Sequence, residues 1–222
     1  MRPLLLMDVD GPMNPFRARW FAAHTPADGY QFHELTPGGD QTYSVALNPE
    51  HGRRLLELAS IYELAWATTW GAEANRLISP ILGLPSDLPV ISLPAPSVLM
   101  SRRSWKAARI VDWVGHRPFA WFDDEINRPT RLWLASRDVL GPHLAHRVSA
   151  EVGLTDVDFD ALRAVMDLME PAPQKRDRVA RAVPPVVDER DRDVADERGA
   201  DARPRAHRVA RRPRGRSPRS GS

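Results

Sequence analysis

Cysteine is absent from all 222 residues of the chain, which excludes disulfides, thiolate metal sites and cysteine nucleophiles together. Lysine is nearly absent too: it stands only at Lys106 and Lys175, against 29 arginines. A chain that otherwise uses arginine keeps a single lysine among its first 170 residues, which suggests a need there for a compact ammonium beside a phosphate. The ordinary alternative is chance or a solvated helix face. No apolar run approaches the roughly 20 residues of a membrane span. The run from Pro3 to Met7 is too short for a secretory signal and meets Asp8 at once. A soluble, cytoplasmic protein without a membrane partner is expected.

Charge is unevenly placed. Residues 1–170 hold 16 Arg or Lys and 21 Asp or Glu, whereas residues 171–222 hold 15 and 8, so a domain near −5 carries a tail near +7. The isoelectric point of about 9.4 therefore describes the tail. That segment has no aromatic residue and no sustained apolar period. It cannot bury enough surface to offset its ordering entropy, so residues 171–222 are expected to be disordered and dispensable for catalysis. Eight arginines and no acid between Ala202 and Ser222 are the composition of a nucleic-acid-binding arm. A GC-rich coding sequence, or a shifted reading frame, gives the same enrichment. Residues 1–170 have the size of one folded domain.

Within that domain strands and helices alternate. Leu4 to Met7 reads as a buried strand, ended by a turn at Gly11 and Pro12. Residues 16–50 contain YQFHEL and TYSVAL around the turn string TPGGDQ, which predicts a projecting β-hairpin. HGRRLLELAS reads as a helix, YELAWAT as a buried strand, GAEANRLIS as a helix and PVISL as a third strand. SWKAARIVDWVG predicts a helix with Ser104 as N-cap and Trp105, Ala108 and Val111 on one face. PFAWFDDE is another apolar strand, ending in acids. RLWLAS and HLAHRVS read as further strands, and VDFDALRAVMDLM as a closing amphipathic helix. Such alternation predicts an α/β fold, mostly a parallel sheet with helices on both faces.

The most informative string is LLLMDVDGPMNP, which drives a strand into two carboxylates one residue apart. Asp8 and Asp10 fall at the strand's carboxyl end, where open α/β sheets bind ligands. Two acids there repel each other unless a cation or a proton lies between them. A calcium loop also begins Asp-x-Asp-Gly, but its twelfth position must be Glu and here is Arg19. A merely solvated acidic turn is the stronger alternative. The chemistry suggested is metal-assisted, with one carboxylate as nucleophile and its neighbour as proton donor. Three further features join this pair. The strand LAWAT ends in Thr68 and Thr69, Lys106 begins a helix, and Asp123 with Asp124 ends PFAWF, a good magnesium anchor as well as an ordinary helix cap.

The ordered set DVDG, a strand-terminal Thr, a lone Lys and FDD resembles the haloacid dehalogenase-like (HAD) superfamily of phosphohydrolases and phosphotransferases. Steps of 60, 38 and 17 residues separate Asp8, Thr68, Lys106 and Asp123. The strings DVDGPMNP, WATTWGAEAN and FAWFDDE look more closely like the small HAD domains of actinobacterial type, some of them associated with RNA-repair proteins. The resemblance covers about residues 1–170. It implies a three-layer Rossmannoid fold whose β-hairpin serves as a minimal cap. It also implies that Asp8 attacks phosphorus while binding Mg2+, and that Asp10 acts as acid and base with its main-chain carbonyl on the metal. Thr68 would then hold phosphoryl oxygens, Lys106 would neutralise charge, and Asp123 or Asp124 would hold the cation.

The function expected is a Mg2+-dependent phosphatase acting through an aspartyl-phosphate on a phosphomonoester, either a small molecule or a nucleic-acid end. About 60 residues between Asp8 and Thr68 leave no room for a separate cap domain, so an open site and a large substrate are expected. The alternative is a catalytically silent binding protein of the same fold that acts through its basic tail. His143 and His146 form an H-x-x-H pair without a soft ligand nearby and read as ordinary histidines. Trp66, Trp105, Trp113, Trp121 and Trp133 read as core, and only Trp70 as placed to touch a substrate.

Overall fold

A computed structural model describes residues 1–93 and 105–165. The tail from 171, residues 166–170 and the expected N-cap Ser104 lie outside the described residues. Strand β1 (Leu4–Met7) has all four residues buried and is the centre of a four-stranded sheet. It pairs in parallel with β4 (Glu63–Trp66) on one side and β5 (Phe119–Asp123) on the other. Strand β6 (His143–Arg147) adds in parallel outside β5, giving the order β4-β1-β5-β6. The fold is therefore α/β with a parallel sheet.

Alternate residues of a strand face opposite sides, so the uninterrupted apolar run of β1 feeds two cores. Leu5 and Met7 join Trp66 and Phe122 beneath Leu55 and Leu58 of α2 (Pro49–Leu58) and Phe159 and Leu162 of α6 (Asp156–Ala164). Leu4 and Leu6 join Phe119 and Trp121 against Ile110 and Val114 of α4 (Lys106–Val114) and Leu134 of α5 (Arg128–Ala135). The chain leaves β1 for β4 by way of α2 on one face and crosses back to β5 by way of α4 on the other. That reversal makes the carboxyl end of β1 a topological switch point.

Between β1 and α2 lie a short helix α1 (Arg19–Ala22) and the expected hairpin, an antiparallel pair of β2 (Gln31–Leu35) and β3 (Tyr43–Leu47). The two strands form their own small sheet, with Ala18, Phe21 and Ala46 at its core.

Four expectations are corrected. RLWLAS is helical, not a strand, because Asn127 caps it by accepting from Thr130 N at 2.9 Å and Pro129 stands in its first turn. GAEANRLIS, by contrast, is helical as expected, with a π-helical turn, Ala74–Ile78, running into α3 (Ser79–Leu82). There Asn75 accepts from Trp66 Nε1 at 3.0 Å and donates to Leu88 O at 2.8 Å. PVISL makes a single bridge, Val90 to Trp66, instead of a strand. Helix α4 buries Lys106, Ala107, Ile110 and Val114, a different face from that of Trp105, Ala108 and Val111. Ala107, Ile110 and Val114 seat that face in the core, and Lys106 at its start bonds Asp8 and Asp123. Trp113 on the same helix is correspondingly exposed and not core.

Candidate functional site

The buried end of β1 continues into a tight turn in which Gly11 N donates to Asn14 O at 2.9 Å and Asn14 N to Val9 O at 2.9 Å. Asp8 is buried at the start of this turn. Its Oδ1 accepts from Val9 N at 2.9 Å, and its Oδ2 accepts from Lys106 Nζ at 2.6 Å. The same ammonium donates to Asp123 Oδ2 at 2.6 Å. Asp123 is the last residue of β5, fully buried, and its Oδ1 accepts from Glu125 N at 2.8 Å. Lys106 thus clamps the ends of two neighbouring strands. Half-buried Asp124 follows, its carbonyl accepting from Arg147 Nε at 3.2 Å. One carboxylate oxygen from each of Asp8, Asp123 and Asp124 lies within 4.8 Å of the others.

Asp10 has two side-chain donors of its own. Its Oδ1 accepts from Asn14 Nδ2 at 2.9 Å and its Oδ2 from Trp70 Nε1 at 3.0 Å. Thr68 follows β4 on the same edge of the sheet, where Ala67 N donates to Met7 O at 2.8 Å. It is buried, with its Oγ1 at 3.4 Å from Trp70 N, whereas Thr69 is exposed. The structure therefore gathers Asp8, Asp10, Thr68, Lys106, Asp123 and Asp124 at one sheet edge.

Burial dominates the electrostatics. It pushes the Asp8 carboxyl well above the ordinary range, with Asp123 and Asp10 adding to the shift and Lys106 opposing it. Asp10 is raised by burial as well, against the hydrogen bonds from Asn14 and Trp70. Asp124 is raised to about 7 by burial and then by Asp123 and Glu125, with Lys106 and Arg17 opposing. Burial works against the Lys106 charge, but Asp123 and Asp8 outweigh it and hold the ammonium above the ordinary lysine range. One buried cation thus serves four acids. Among the described residues three carboxylate oxygens converge here without a sulfur or imidazole ligand in the group, a donor set that could hold a hard divalent cation.

Asn14 was not legible as a site residue, and Trp70 only as a substrate contact. The first sits four residues after Asp10 in DVDGPMNP, a spacing that means nothing until the turn is formed. The histidine pair has structural partners: His146 Nε2 lies 2.7 Å from Asp158 Oδ1, and His143 stacks on Phe119 at 5.3 Å with Nδ1 at 3.0 Å from Gly141 O. Trp66 and Trp121 are fully buried. No helix among the described residues is long and apolar enough to cross a membrane. Compared with families of known proteins, with curated proteins and with solved structures, the chain finds no match.

Proposed function

We propose that the chain is a Mg2+-dependent phosphatase of HAD type, hydrolysing a phosphomonoester through an aspartyl-phosphate on Asp8. The observation that carries this reading is the division of labour between the acids: Lys106 bridges Asp8 and Asp123 at 2.6 Å each, while the Asp10 carboxyl has its own pair of donors. A nucleophile must be anionic and close to positive charge, whereas a proton donor must keep its proton until the leaving group needs it, and burial raises the Asp10 carboxyl although its two donors and Lys106 oppose the shift. The two environments supply this difference.

In the first half-reaction Asp8 attacks phosphorus, the bond to the leaving oxygen breaks, and Asp10 gives that oxygen its proton. In the second, Asp10 takes a proton from water as the water attacks the phosphorus of the acyl phosphate, which releases inorganic phosphate and restores Asp8. Lys106 offsets the charge of nucleophile and phosphoryl group, and Thr68 donates its hydroxyl to a phosphoryl oxygen. Asp8, Asp123, Asp124 and the main-chain carbonyl of Asp10 would hold Mg2+, which supplies Lewis-acid stabilisation of the developing negative charge.

The substrate proposed is a terminal phosphate on a large molecule, a polynucleotide end in the first instance. The β2–β3 hairpin is too small to enclose a metabolite and exclude water by itself, and the arginine-rich tail suits a polyanion. The test is hydrolysis by the full chain of an aryl phosphate with and without Mg2+, followed by specificity constants for 5′- and 3′-phosphorylated oligonucleotides against sugar phosphates and mononucleotides. Turnover that needs Mg2+ and prefers an oligonucleotide supports the reading. Preference for one small metabolite contradicts the substrate, and absence of turnover contradicts the reaction.

A further inference from the structure

We infer that Asn14 and Trp70 are positioning residues for Asp10, and that through them the β2–β3 hairpin sets the geometry of the proton donor. The inference rests on the phosphatase reading above and assigns two residues that the reading leaves without a role. Each oxygen of the Asp10 carboxyl receives one side-chain donor, Asn14 Nδ2 at 2.9 Å and Trp70 Nε1 at 3.0 Å. The donors come from different segments, 60 residues apart in the case of Trp70. Together they fix both torsions of a side chain that a turn would otherwise leave to rotate.

Neither partner can take the proton that Asp10 must deliver. An indole nitrogen donates and cannot accept. Asn14 has an acceptor, but Ala46 N in β3 donates to its Oδ1 at 3.0 Å, which also decides which end of the amide faces Asp10. The acidic proton is left for the substrate.

Both donors lean on the hairpin. Asn14 does so through Ala46, and the Trp70 ring packs edge-on against Tyr43 of β3 with centroids 6.0 Å apart. Arg76, in the π-helical turn beyond Trp70, donates from Nη2 to Thr36 O at 3.2 Å beside the hairpin. A hairpin displaced by even a fraction of a hydrogen-bond length would therefore move two donors and the carboxyl between them. Positioning to well under 1 Å is what general-acid catalysis depends on.

The experiment exploits the fact that a leaving group of low pKa departs without help, whereas an alkoxide needs the proton. Wild type, Trp70→Phe and Tyr43→Leu are compared as full-length chains on 4-nitrophenyl phosphate and on an alkyl phosphate, in saturating Mg2+. Trp70→Phe is expected to lower kcat/KM, which reads only the step that forms the aspartyl-phosphate and not its hydrolysis, about tenfold on the alkyl ester and less than about twofold on the aryl ester. Tyr43→Leu changes a residue that meets the site through the Trp70 ring and is expected to show the same selectivity in milder form. Equal losses on both substrates, or no loss on either, in variants with wild-type melting temperature would overturn the inference and leave the phosphatase intact. A wild-type protein that turns over neither ester overturns both.

Discussion

Asp124 lies against the α-carbon of Gly11. A Cβ at position 11 would stand 2.6 Å from Asp124 Cγ and 2.9 Å from its Oδ1, and Gly11 has φ +96°, a region that L side chains rarely adopt. The glycine of DVDG therefore turns the chain after the second acid and also leaves room for a carboxyl that arrives from the far end of β5.

Gly11→Ala is accordingly expected to displace Asp124 and strain the turn. The fold should lose about 1 kcal/mol or more of stability, and affinity for Mg2+ should fall by an order of magnitude or so. Isothermal titration with Mg2+ alone reads the second effect without any substrate. An alanine variant with wild-type affinity would show that Asp124 is not a ligand.

The acidic trio predicts that Mg2+ stabilises the folded chain, since a ligand that binds only the native state raises the melting temperature. Asp123→Asn and Asp124→Asn should each diminish that rise. If millimolar Mg2+ leaves the wild-type melting temperature where it was, the three carboxylates do not form a cation site.

Lys106 is the buried counter-charge of two buried acids, so removing it strands them. Lys106→Met should cost roughly 3–5 kcal/mol of unfolding free energy in the absence of divalent cations, read by chemical denaturation, and added Mg2+ should recover part of the loss. Lys106→Arg should not restore activity, because a planar guanidinium does not present one compact charge to two carboxylates. A methionine variant as stable as wild type would mean that the clamp contributes nothing to the fold.

His51 supplies a pH test away from the site. Burial, and then Arg54, lower its pKa to about 4, and its Nδ1 has no partner among the described residues. The unfolded chain takes up a proton at His51 near the ordinary value of about 6.5, so stability present above that pH is lost progressively as pH falls toward 4. The loss from this group amounts to about 3 kcal/mol. In His51→Leu the fall between pH 6.5 and 4 should be shallower by that amount. Parallel stability curves for the two proteins would refute the assignment.

The sheet was legible where pattern and burial coincide. Leu4–Met7 is an uninterrupted apolar run because both its faces are covered, and the hairpin announced itself through TPGGDQ between two alternating strings. RLWLAS misled because a short continuous apolar run does not distinguish a strand from a helix, and Asn127 with Pro129 held the deciding signal just upstream. The face of α4 was misread for a physical reason. Trp105, Ala108 and Val111 have the spacing of an inward stripe, whereas Ala107, Ile110 and Val114, at equally helical spacing, are the residues buried, with Lys106 beside them bonded to Asp8 and Asp123. At the site, Asp8, Lys106 and Asp123 could be brought to one sheet edge from their places at strand and helix ends and from the family resemblance, but the bond from Lys106 to Asp123 was not legible there. Nor were the bonds of Asn14 and Trp70 to Asp10, because nothing local in the chain connects a tryptophan after β4 to an acid after β1.

If Asp8 is the nucleophile of a Mg2+-dependent phosphatase, its amide must abolish turnover, and kcat of wild type and Asp8→Asn on one phosphomonoester at saturating Mg2+ decides the matter. The substitution is nearly isosteric, so melting temperature reports that the fold is retained. A loss of roughly a thousandfold or more is expected in a folded variant. A folded Asp8→Asn protein that hydrolyses the ester at the wild-type rate would contradict that assignment.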